Sequence, residues 1–249
     1  MSADLVFLHG IGGSAEIWKP QTDHFTGKHR MLAWNAPGYG GTEPIANVTF
    51  PKLAERLAED MSAEGFEQPV IVGHSFGGMV AQQLVRDYPE RVGGLILSGT
   101  SSAFGNPDGD FQKKFIEART KPLDGGKTMA DVASKVAPTL VGSTAPSEAV
   151  DLAIACMSAV PESTYRAIVA LLTTFDLRSA LSEIAAPTLL VAGTEDKTAP
   201  AAMMERMAAR IPGAGFATIE GAGHLAPLEQ PAEFNQLIET FVAERIEAA

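Results

Sequence analysis

The sequence predicts an α/β fold, a doubly wound and mostly parallel sheet with an inserted helical cap. Three observations support this prediction. Short apolar runs bounded by glycine or proline recur along the chain, helical patterns fill the intervals between them, and one long stretch in the middle has no such run. The chain has 249 residues, of which 45% are hydrophobic, so it is long and apolar enough to bury a large core.

The apolar runs are continuous rather than alternating, which is typical of strands buried on both faces of a parallel sheet. They occur in both halves of the chain: Leu5-Val6-Phe7-Leu8, Val70-Ile71-Val72, Leu95-Ile96-Leu97, Leu189-Leu190-Val191 and Phe216-Ala217-Thr218-Ile219. Because helical patterns separate these runs, the strands are expected to be parallel and connected by helices.

Helical periodicity fills the intervals between the strands. Leu53, Leu57 and Met61 are spaced at i, i+4 and i+8, which places them on one face of a helix. The C-terminal pattern is the most regular, with apolar residues at i, i+3, i+4, i+7 and i+8: Phe234, Leu237, Ile238, Phe241 and Val242. The chain is therefore expected to end in an amphipathic helix.

Residues 103–182 break this alternation of strands and helices. A dense turn signal, Gly105-Asn106-Pro107-Asp108-Gly109, opens the segment. Helical stretches are predicted at 110–120, 128–136, 147–160 and 162–174, and Ala186-Pro187 then leads back into a strand. We therefore expect residues 1–102 and 183–249 to form the core, and 103–182 to form a helical cap inserted in the same domain.

Charge, hydropathy and cysteine content argue against several classes of partner and site. There are 19 Lys and Arg residues against 30 Asp and Glu, and this net charge of −11 disfavours a nucleic-acid partner. No apolar run is long enough to cross a bilayer, and the first residues do not resemble a signal peptide. The single cysteine, Cys156, excludes an internal disulfide, and no zinc ligand set is evident. These features predict a cytoplasmic protein with no metal and no membrane partner.

The strongest chemical signal is Gly73-His74-Ser75-Phe76-Gly77-Gly78, which follows a predicted strand and precedes a helical run. This is the G-x-S-x-G pattern in its strand–turn–helix setting. A serine in so sharp a turn has a strained backbone, and the positions two before and two after it must lack bulk. The N-terminus of the following helix offers N–H groups to a developing oxyanion. Ser75 is therefore the candidate nucleophile.

A nucleophilic serine needs a base, and the base needs an acid to orient it. His224 follows the last predicted strand, and Asp196 follows the strand before it. Loops at the carboxyl ends of parallel strands form the sites of α/β proteins. We therefore assign His224 as the base, and Asp196 as the acid in preference to its neighbour Glu195. His74 is expected to pack or hydrogen-bond beneath the turn.

An oxyanion hole needs two N–H donors. One is expected from Phe76, the residue after the serine, and the other from Ile11 in the glycine-rich segment His9-Gly10-Ile11-Gly12-Gly13-Ser14. A phosphate-binding loop is the competing interpretation of these glycines. Neither nucleotide-binding fingerprint is satisfied, because position 15 is alanine and no Lys-Ser/Thr pair follows. His9 is expected to hold the loop by hydrogen bonding.

Together these residues resemble the α/β-hydrolase fold family. The resemblance runs through nearly the whole chain and also includes Asn35-Ala36-Pro37-Gly38-Tyr39-Gly40-Gly41-Thr42, Gly193-x-x-Asp196-x-x-x-Pro200 and Glu229-Gln230-Pro231. It implies a serine hydrolase with the nucleophile, acid, base and oxyanion donors assigned above, and with no cofactor. The cap and the C-terminal third look most like the 3-oxoadipate enol-lactonase branch and related carboxylesterases.

One departure from the family concerns the N-terminus. Members usually begin with an antiparallel strand pair before the His-Gly strand, whereas here that strand starts at Asp4. The omission would expose a sheet edge, and a partner subunit in a homodimer would cover it.

The expected reaction is hydrolysis of a small-molecule ester or lactone through an acyl-enzyme, with specificity set by the cap. Candidate pocket residues are Trp18, Met79, Phe104, Phe111, Phe115, Leu140, Met157, Tyr165, Leu171 and Leu225. Arg166 and Lys197 are candidates for binding a substrate carboxylate, although a solvated surface position suits both better. Two other interpretations stay open. One is a cofactor-free lyase or oxygenase with the same triad; a lyase of the hydroxynitrile type would need a lysine in the pocket, and Lys197 is the only candidate near it. The other is a ligand receptor.

Overall fold

The computed structural model describes residues 3–104 and 109–246, so all but the last residue of the turn predicted at 105–109 lies outside the described residues. Within them, six parallel strands form one sheet: β1 (Asp4–Leu8), β2 (Arg30–Trp34), β3 (Val70–His74), β4 (Gly94–Ser98), β5 (Thr188–Gly193) and β6 (Gly215–Ile219). Their order across the sheet is β2-β1-β3-β4-β5-β6. The five predicted strands are confirmed, and β2 is the one that the apolar runs did not include.

Helices connect these strands. Their bounds are α1 (Lys19–Phe25), α2 (Phe50–Ala63), α3 (Phe76–Asp87), α4 (Asp110–Asp124), α5 (Met129–Val136), α6 (Ser147–Ser158), α7 (Glu162–Leu172), α8 (Ala201–Ala208), α9 (Ala226–Glu229) and α10 (Pro231–Phe241). Short 3₁₀ turns lie at Ala15–Trp18, Pro89–Arg91, Ala137–Thr139 and Leu181–Glu183, and a π-helical turn follows α10 at Val242–Ile246. None of the helices in the described part of the chain is long and apolar enough to span a membrane.

The core lies on both faces of the sheet. Along β1, Val6 and Leu8 belong to the cluster that packs with α2 and α3, while Leu5 and Phe7 belong to the cluster that packs with α1 and α10. Side chains alternate between the two faces of a strand, so a strand covered on both faces needs apolar residues at every position. The doubly wound fold predicted from the continuous apolar runs is therefore confirmed.

Four of the helices, α4 to α7, lie between β4 and β5, where the sequence predicts the cap. The entry and exit segments of this insertion pair with each other. Phe104 N donates to Phe175 O at 2.9 Å, and Leu177 N donates to Ser102 O at 2.8 Å, which forms an antiparallel bridge between Ala103 and Asp176. The pairing closes the insertion at its base. The division into core and cap at residues 103 and 182 stays a prediction.

The edge strands are less buried than the central ones. The inner strands β3 and β4 are buried along their whole length, whereas Arg30 of β2 is exposed and the next three residues are only partly buried. Among the described strands, β2 pairs with β1 alone. This is the edge that the predicted homodimer would cover, and the oligomeric state stays a prediction.

Helix α3 crosses β1 at very short range. A Cβ atom built on Gly77 would lie 2.2 Å from the carbonyl oxygen of Leu8 and 2.8 Å from that of His9. These are backbone atoms at the end of β1 and in the residue after it, which cannot rotate away as the end of a side chain can. Gly77 is therefore required by helix–strand packing as well as by the sharpness of the turn before it.

We expect Gly77→Ala to destabilise the protein by about 3 kcal/mol or more, because the added methyl group would push α3 away from β1. Gly125→Ala is a matched control, since a Cβ there would meet only ordinary contacts of 3.4 Å or more at the end of α4. The measurement is the free energy of unfolding from urea titration. Equal stability of Gly77→Ala and the wild type would contradict the packing argument.

Candidate active site

Ser75 occupies a strained turn between β3 and α3. Its backbone has φ of +52° and ψ of −115°, in a region that residues other than glycine rarely adopt. Two hydrogen bonds of its own backbone hold it there: Ser75 N donates to Ser98 O at 2.9 Å, and the Thr100 hydroxyl donates to Ser75 O at 2.7 Å. A Cβ atom on Gly73 would lie 2.7 Å from Gly77 O. The glycine on each side therefore allows the serine to project from the turn.

Three side chains from three different loops form one hydrogen-bonded chain. His224 Nε2 lies 3.1 Å from Ser75 Oγ, and His224 Nδ1 lies 2.8 Å from Asp196 Oδ2. Asp196 and His224 are only 5% and 6% exposed, so water competes little for these bonds. Because an ionised carboxylate can only accept, Nδ1 carries the proton and Nε2 accepts from the serine hydroxyl. The structure thus brings together the three residues that the sequence predicts as nucleophile, base and acid.

Asp196 is held in its ionised form. Its second oxygen, Oδ1, accepts from Thr198 N at 2.7 Å and from Ala199 N at 2.9 Å. Burial raises the pKa of Asp196, but the hydrogen bond and charge of His224, together with these two N–H donors, outweigh burial and hold the pKa below its ordinary value. The carboxylate is therefore negatively charged at neutral pH and able to stabilise a protonated His224.

The N–H of Ile11 is oriented by the peptide group to which it belongs. The carbonyl oxygen of that peptide, Gly10 O, accepts from His9 Nδ1 at 2.8 Å and from Gly13 N at 2.9 Å. The C=O and N–H of a trans peptide point in opposite directions, so the Ile11 N–H points away from those two donors. Ile11 also lines the cavity that contains Ser75.

The N–H of Phe76 belongs to the first residue of α3, so it has no acceptor within the helix. Among the described residues, neither this N–H nor that of Ile11 donates to another protein group. Both are available to a substrate oxygen, as the sequence-based assignment of the oxyanion donors requires. Their catalytic role stays a proposal.

His9 holds the glycine-rich loop in place, as the sequence predicts. Its Nδ1 donates to Gly10 O, and its Nε2 accepts from Ala36 N at 3.1 Å, so both ring nitrogens are used by one neutral tautomer. Burial lowers the pKa of His9 to about 4, although the bond to Gly10 opposes this change. The ring therefore stays neutral through most of the acidic range.

His74 lies beside the base rather than in the hydrogen-bonded chain. Its ring centroid is 4.9 Å from that of His224, and its side chain forms part of the cavity wall. Burial, and then the nearby His224, lower the pKa of His74 to about 3. A neutral ring at this position adds no positive charge that would oppose protonation of His224.

A direct backbone hydrogen bond and a carboxylate bridge tie the cap segment 140–144 to the loop that carries His224. His224 N donates to Leu140 O at 2.6 Å. The buried carboxylate of Glu229 accepts from Gly142 N at 2.6 Å and from Gly223 N at 2.9 Å, so it joins the cap to the residue before His224. Burial raises the pKa of Glu229 against the effect of its N–H donors. The first residue of the Glu-Gln-Pro motif, which the sequence linked only to the family resemblance, thus joins the cap to the His224 loop.

Glu195, the alternative acid, also holds the cap. Its carboxylate accepts from Ser143 N and from Ser143 Oγ, each at 2.7 Å, and these bonds lower its pKa. The two neighbouring acids therefore differ in what they contact. Asp196 reaches His224, whereas Glu195 reaches the cap.

The hydrogen-bonded chain ends in a mostly apolar cavity of about 100 Å³. Ser75, His224 and Ile11 line it. Six of the predicted pocket residues also lie in its wall: Met79, Phe104, Phe115, Leu140, Met157 and Leu225. Leu140 thus contributes both a backbone bond to the base and a side chain to the wall.

Four other predicted pocket residues lie outside the cavity wall as described. Trp18 is 1% exposed and packs against Phe7, with ring centroids 5.1 Å apart, and Phe111 is 66% exposed. Tyr165 and Leu171 are buried in the core cluster, and Leu172 lines the cavity instead. Helical periodicity identified apolar faces of the cap helices but not which of them faces the cavity.

Among the wall residues that the sequence reasoning missed is a cation, Arg119 of α4. Its position one helical turn after Phe115 was the available signal. The two cations considered earlier lie elsewhere: Arg166 forms ion pairs with Glu162 and Asp124, each at 2.8 Å, and Lys197 is exposed. Lys197 has the solvated position that the sequence favoured, whereas Arg166 is partly buried between its two acids.

We expect His9→Asn to reduce the amount by which the free energy of unfolding falls between pH 7 and pH 5. The folded pKa of about 4 lies below the ordinary value of 6.5, so the unfolded chain takes up the proton first as the pH falls. The stability that neutral His9 provides is complete above pH 6.5 and is lost progressively towards pH 4. Between pH 7 and pH 5 the wild type should lose about 2 kcal/mol more than the variant. Urea unfolding at both pH values measures this, and equal losses would refute it.

Comparison with known proteins identifies the family. Residues 5–237 match the model of the alpha/beta hydrolase family. A pimeloyl-[acyl-carrier protein] methyl ester esterase of Aromatoleum aromaticum is 30% identical over 96% of this chain and 98% of its own length. A thermophilic esterase from Thermogutta terrifontis, solved with malate bound, superimposes with a TM-score of 0.90 at 25% identity and covers 99% of this chain and 91% of its own.

The fold also matches an enol-lactonase from Burkholderia xenovorans, with a TM-score of 0.86 at 21% identity over 98% of this chain and 92% of that one. At this identity the likeness concerns the fold alone. The sheet order, the turn at Ser75 and the match over nearly the whole chain agree with one another. The resemblance found in the sequence is therefore confirmed, and the chain belongs to the alpha/beta hydrolase family.

Proposed function

We propose that this chain is a hydrolase of the ester type that cleaves small carboxylic esters or lactones, with Ser75 as nucleophile, His224 as base and Asp196 as acid. The observation that carries the proposal is the hydrogen-bonded chain from Asp196 through His224 to Ser75, which ends at the cavity wall. The Aromatoleum relative is named as a methyl ester esterase, and the Thermogutta neighbour as an esterase. Both names support the ester class.

The first step forms an acyl-enzyme. His224 Nε2 takes the proton of Ser75 as Oγ attacks the substrate carbonyl, and the N–H groups of Ile11 and Phe76 stabilise the oxyanion. Asp196 keeps the imidazole in the required tautomer and stabilises the imidazolium that forms. Collapse of the tetrahedral intermediate then breaks the ester bond, and protonated His224 gives its proton to the leaving oxygen. In a lactone this oxygen stays tethered to the acyl group.

The second step releases the acid. His224 Nε2 accepts a proton from water, whose oxygen attacks the acyl carbon, and the same two N–H groups hold the second oxyanion. Collapse of this second intermediate breaks the bond between the acyl carbon and Ser75 Oγ, and protonated His224 returns the proton to Oγ as the acid leaves. The second step uses the same geometry as the first, with water in place of the leaving group, so one set of residues serves both steps.

The size of the cavity favours small substrates. It measures about 100 Å³, and one water needs roughly 10–15 Å³ on the same measure. The enclosed space therefore accommodates a short acyl or leaving group.

The structure does not support the lyase, oxygenase and receptor interpretations equally. A lyase that uses a lysine is disfavoured, because Lys197 is exposed and no lysine lies in the cavity wall of the described chain. A receptor or an oxygenase would share the triad, so activity measurements separate these from the hydrolase.

We expect Ser75→Ala to lower kcat for p-nitrophenyl acetate and butyrate by at least ~10⁴-fold, because the nucleophile is lost. A fluorophosphonate probe should label the wild type and not this variant. Cys156→Ala should keep its activity, since the only thiol of the chain lies outside the cavity wall. Undiminished turnover by Ser75→Ala would rule out the mechanism, and a wild type that binds but never hydrolyses esters would favour the receptor.

The two neighbouring acids offer a second test. We expect Asp196→Asn to lower kcat by about 10⁴-fold, because the amide can donate to Nδ1 and so favours the wrong tautomer of His224. Glu195→Gln removes the adjacent charge without touching the imidazole and should cost less than ~10-fold. Comparable losses in both variants, measured with the same substrate, would argue against Asp196 as the acid.

A further inference from the structure

Arg119 is held against the catalytic cavity by an aromatic pair. Its guanidinium carbon lies 5.1 Å from the ring centroid of Phe115, one turn earlier on α4. Phe115 in turn packs edge-to-face on Phe104, with ring centroids 4.6 Å apart. All three side chains line the same cavity as Ser75 and His224. The cation–π contact therefore holds the guanidinium at the wall where substrate binds.

Arg119 has no acidic partner among the described residues, although the chain has 30 acids and only 19 bases. Apart from the exposed Arg206, the other arginines with described side chains each contact an acid or a backbone carbonyl: Arg30, Arg56, Arg86, Arg91, Arg166, Arg178 and Arg210. Arg119 differs from Arg206 because it is partly buried and lines the cavity that contains Ser75, whereas the exposed Arg206 lines a separate pocket. Its five N–H donors are available to a ligand.

The rest of the wall offers no group that would neutralise this charge. Next to Arg119 the described wall is made mainly of apolar side chains, and it includes no Asp or Glu. Charge-assisted hydrogen bonds strengthen where water is partly excluded, and a guanidinium matches the two oxygens of a carboxylate. The cavity therefore pairs a cation with an ester-cleaving serine in one small volume.

We propose that Arg119 binds a free carboxylate of the substrate, so that the preferred substrates are half-esters of dicarboxylic acids, or lactones that carry a carboxylate. This inference rests on the proposed function, since it specifies the substrate class of the same site. It replaces Arg166, which its two acids already neutralise, and the exposed Lys197 as the source of anion recognition.

The test compares monomethyl adipate, which carries one carboxylate, with the neutral methyl hexanoate, and follows proton release at constant pH. The wild type should show a kcat/KM at least about tenfold higher for the half-ester. Arg119→Met, which keeps an apolar stem, should lower the ratio of the two kcat/KM values by about tenfold or more. Arg119→Lys should restore part of the ratio, because it keeps the charge but loses the paired N–H groups.

Lys113→Met is the matched control, because Lys113 is an exposed cation on the same helix. It should keep the wild-type ratio. A wild type without preference, or an unchanged ratio in Arg119→Met, would overturn the proposal. So would an equal loss in Lys113→Met, which would show a general charge effect.

A binding measurement separates this inference from the proposed function. Calorimetry on Ser75→Ala should detect monomethyl adipate, and Ser75→Ala/Arg119→Met should bind it at least about tenfold more weakly. If the wild type cleaves neither ester but this difference in binding is found, the hydrolase proposal fails while anion recognition holds. If both esters are cleaved at equal rates and the two variants bind equally, anion recognition alone fails.

Discussion

The close packing of α3 on β1 is the constraint on which the rest of the site depends. At Gly77 the helix backbone approaches the Leu8 carbonyl so closely that no side chain fits between them. A similar contact follows at the next loop, where a Cβ atom on Gly10 would lie 3.3 Å from the Cβ of Ser75. These two close contacts place the Ser75 turn next to the loop that carries Ile11. The positions of Ser75 and of the proposed oxyanion donors, Ile11 and Phe76, therefore depend on a close backbone packing that only glycine permits.

Most of the fold and the three residues of the hydrogen-bonded chain could be predicted from the sequence because both depend on short sequence patterns. Strands buried on both faces need apolar residues at every position, which makes β1, β3 and β4 recognisable without their neighbours. Strand β2 has a partly exposed position at the edge and begins with Arg30, so its pattern was weaker. Ser75, Asp196 and His224 each follow a strand in a glycine-containing segment, and parallel strands bring such segments to one edge of the sheet.

The cavity wall was harder to predict because the cap helices have more than one apolar surface. On α7 the adjacent residues Leu171 and Leu172 are equally apolar, yet only Leu172 reaches the cavity. Tyr165 on the same helix fills the core instead. Arg119 was not predicted because a charged residue on a cap helix usually faces solvent. Only the tertiary structure shows that this one faces the cavity. The bonds of Glu229 likewise join segments 87 residues apart.

The attachment of the cap segment 140–144 to the His224 loop limits how substrate can enter. Lifting the cap as a rigid lid would break the bond from His224 N to Leu140 O and the bridge through Glu229, and the base would move with it. A route that leaves His224 in place has to open at a part of the cavity wall that is not bonded to the His224 loop. The cap segment 140–144 is therefore a fixed support for the loop that carries His224.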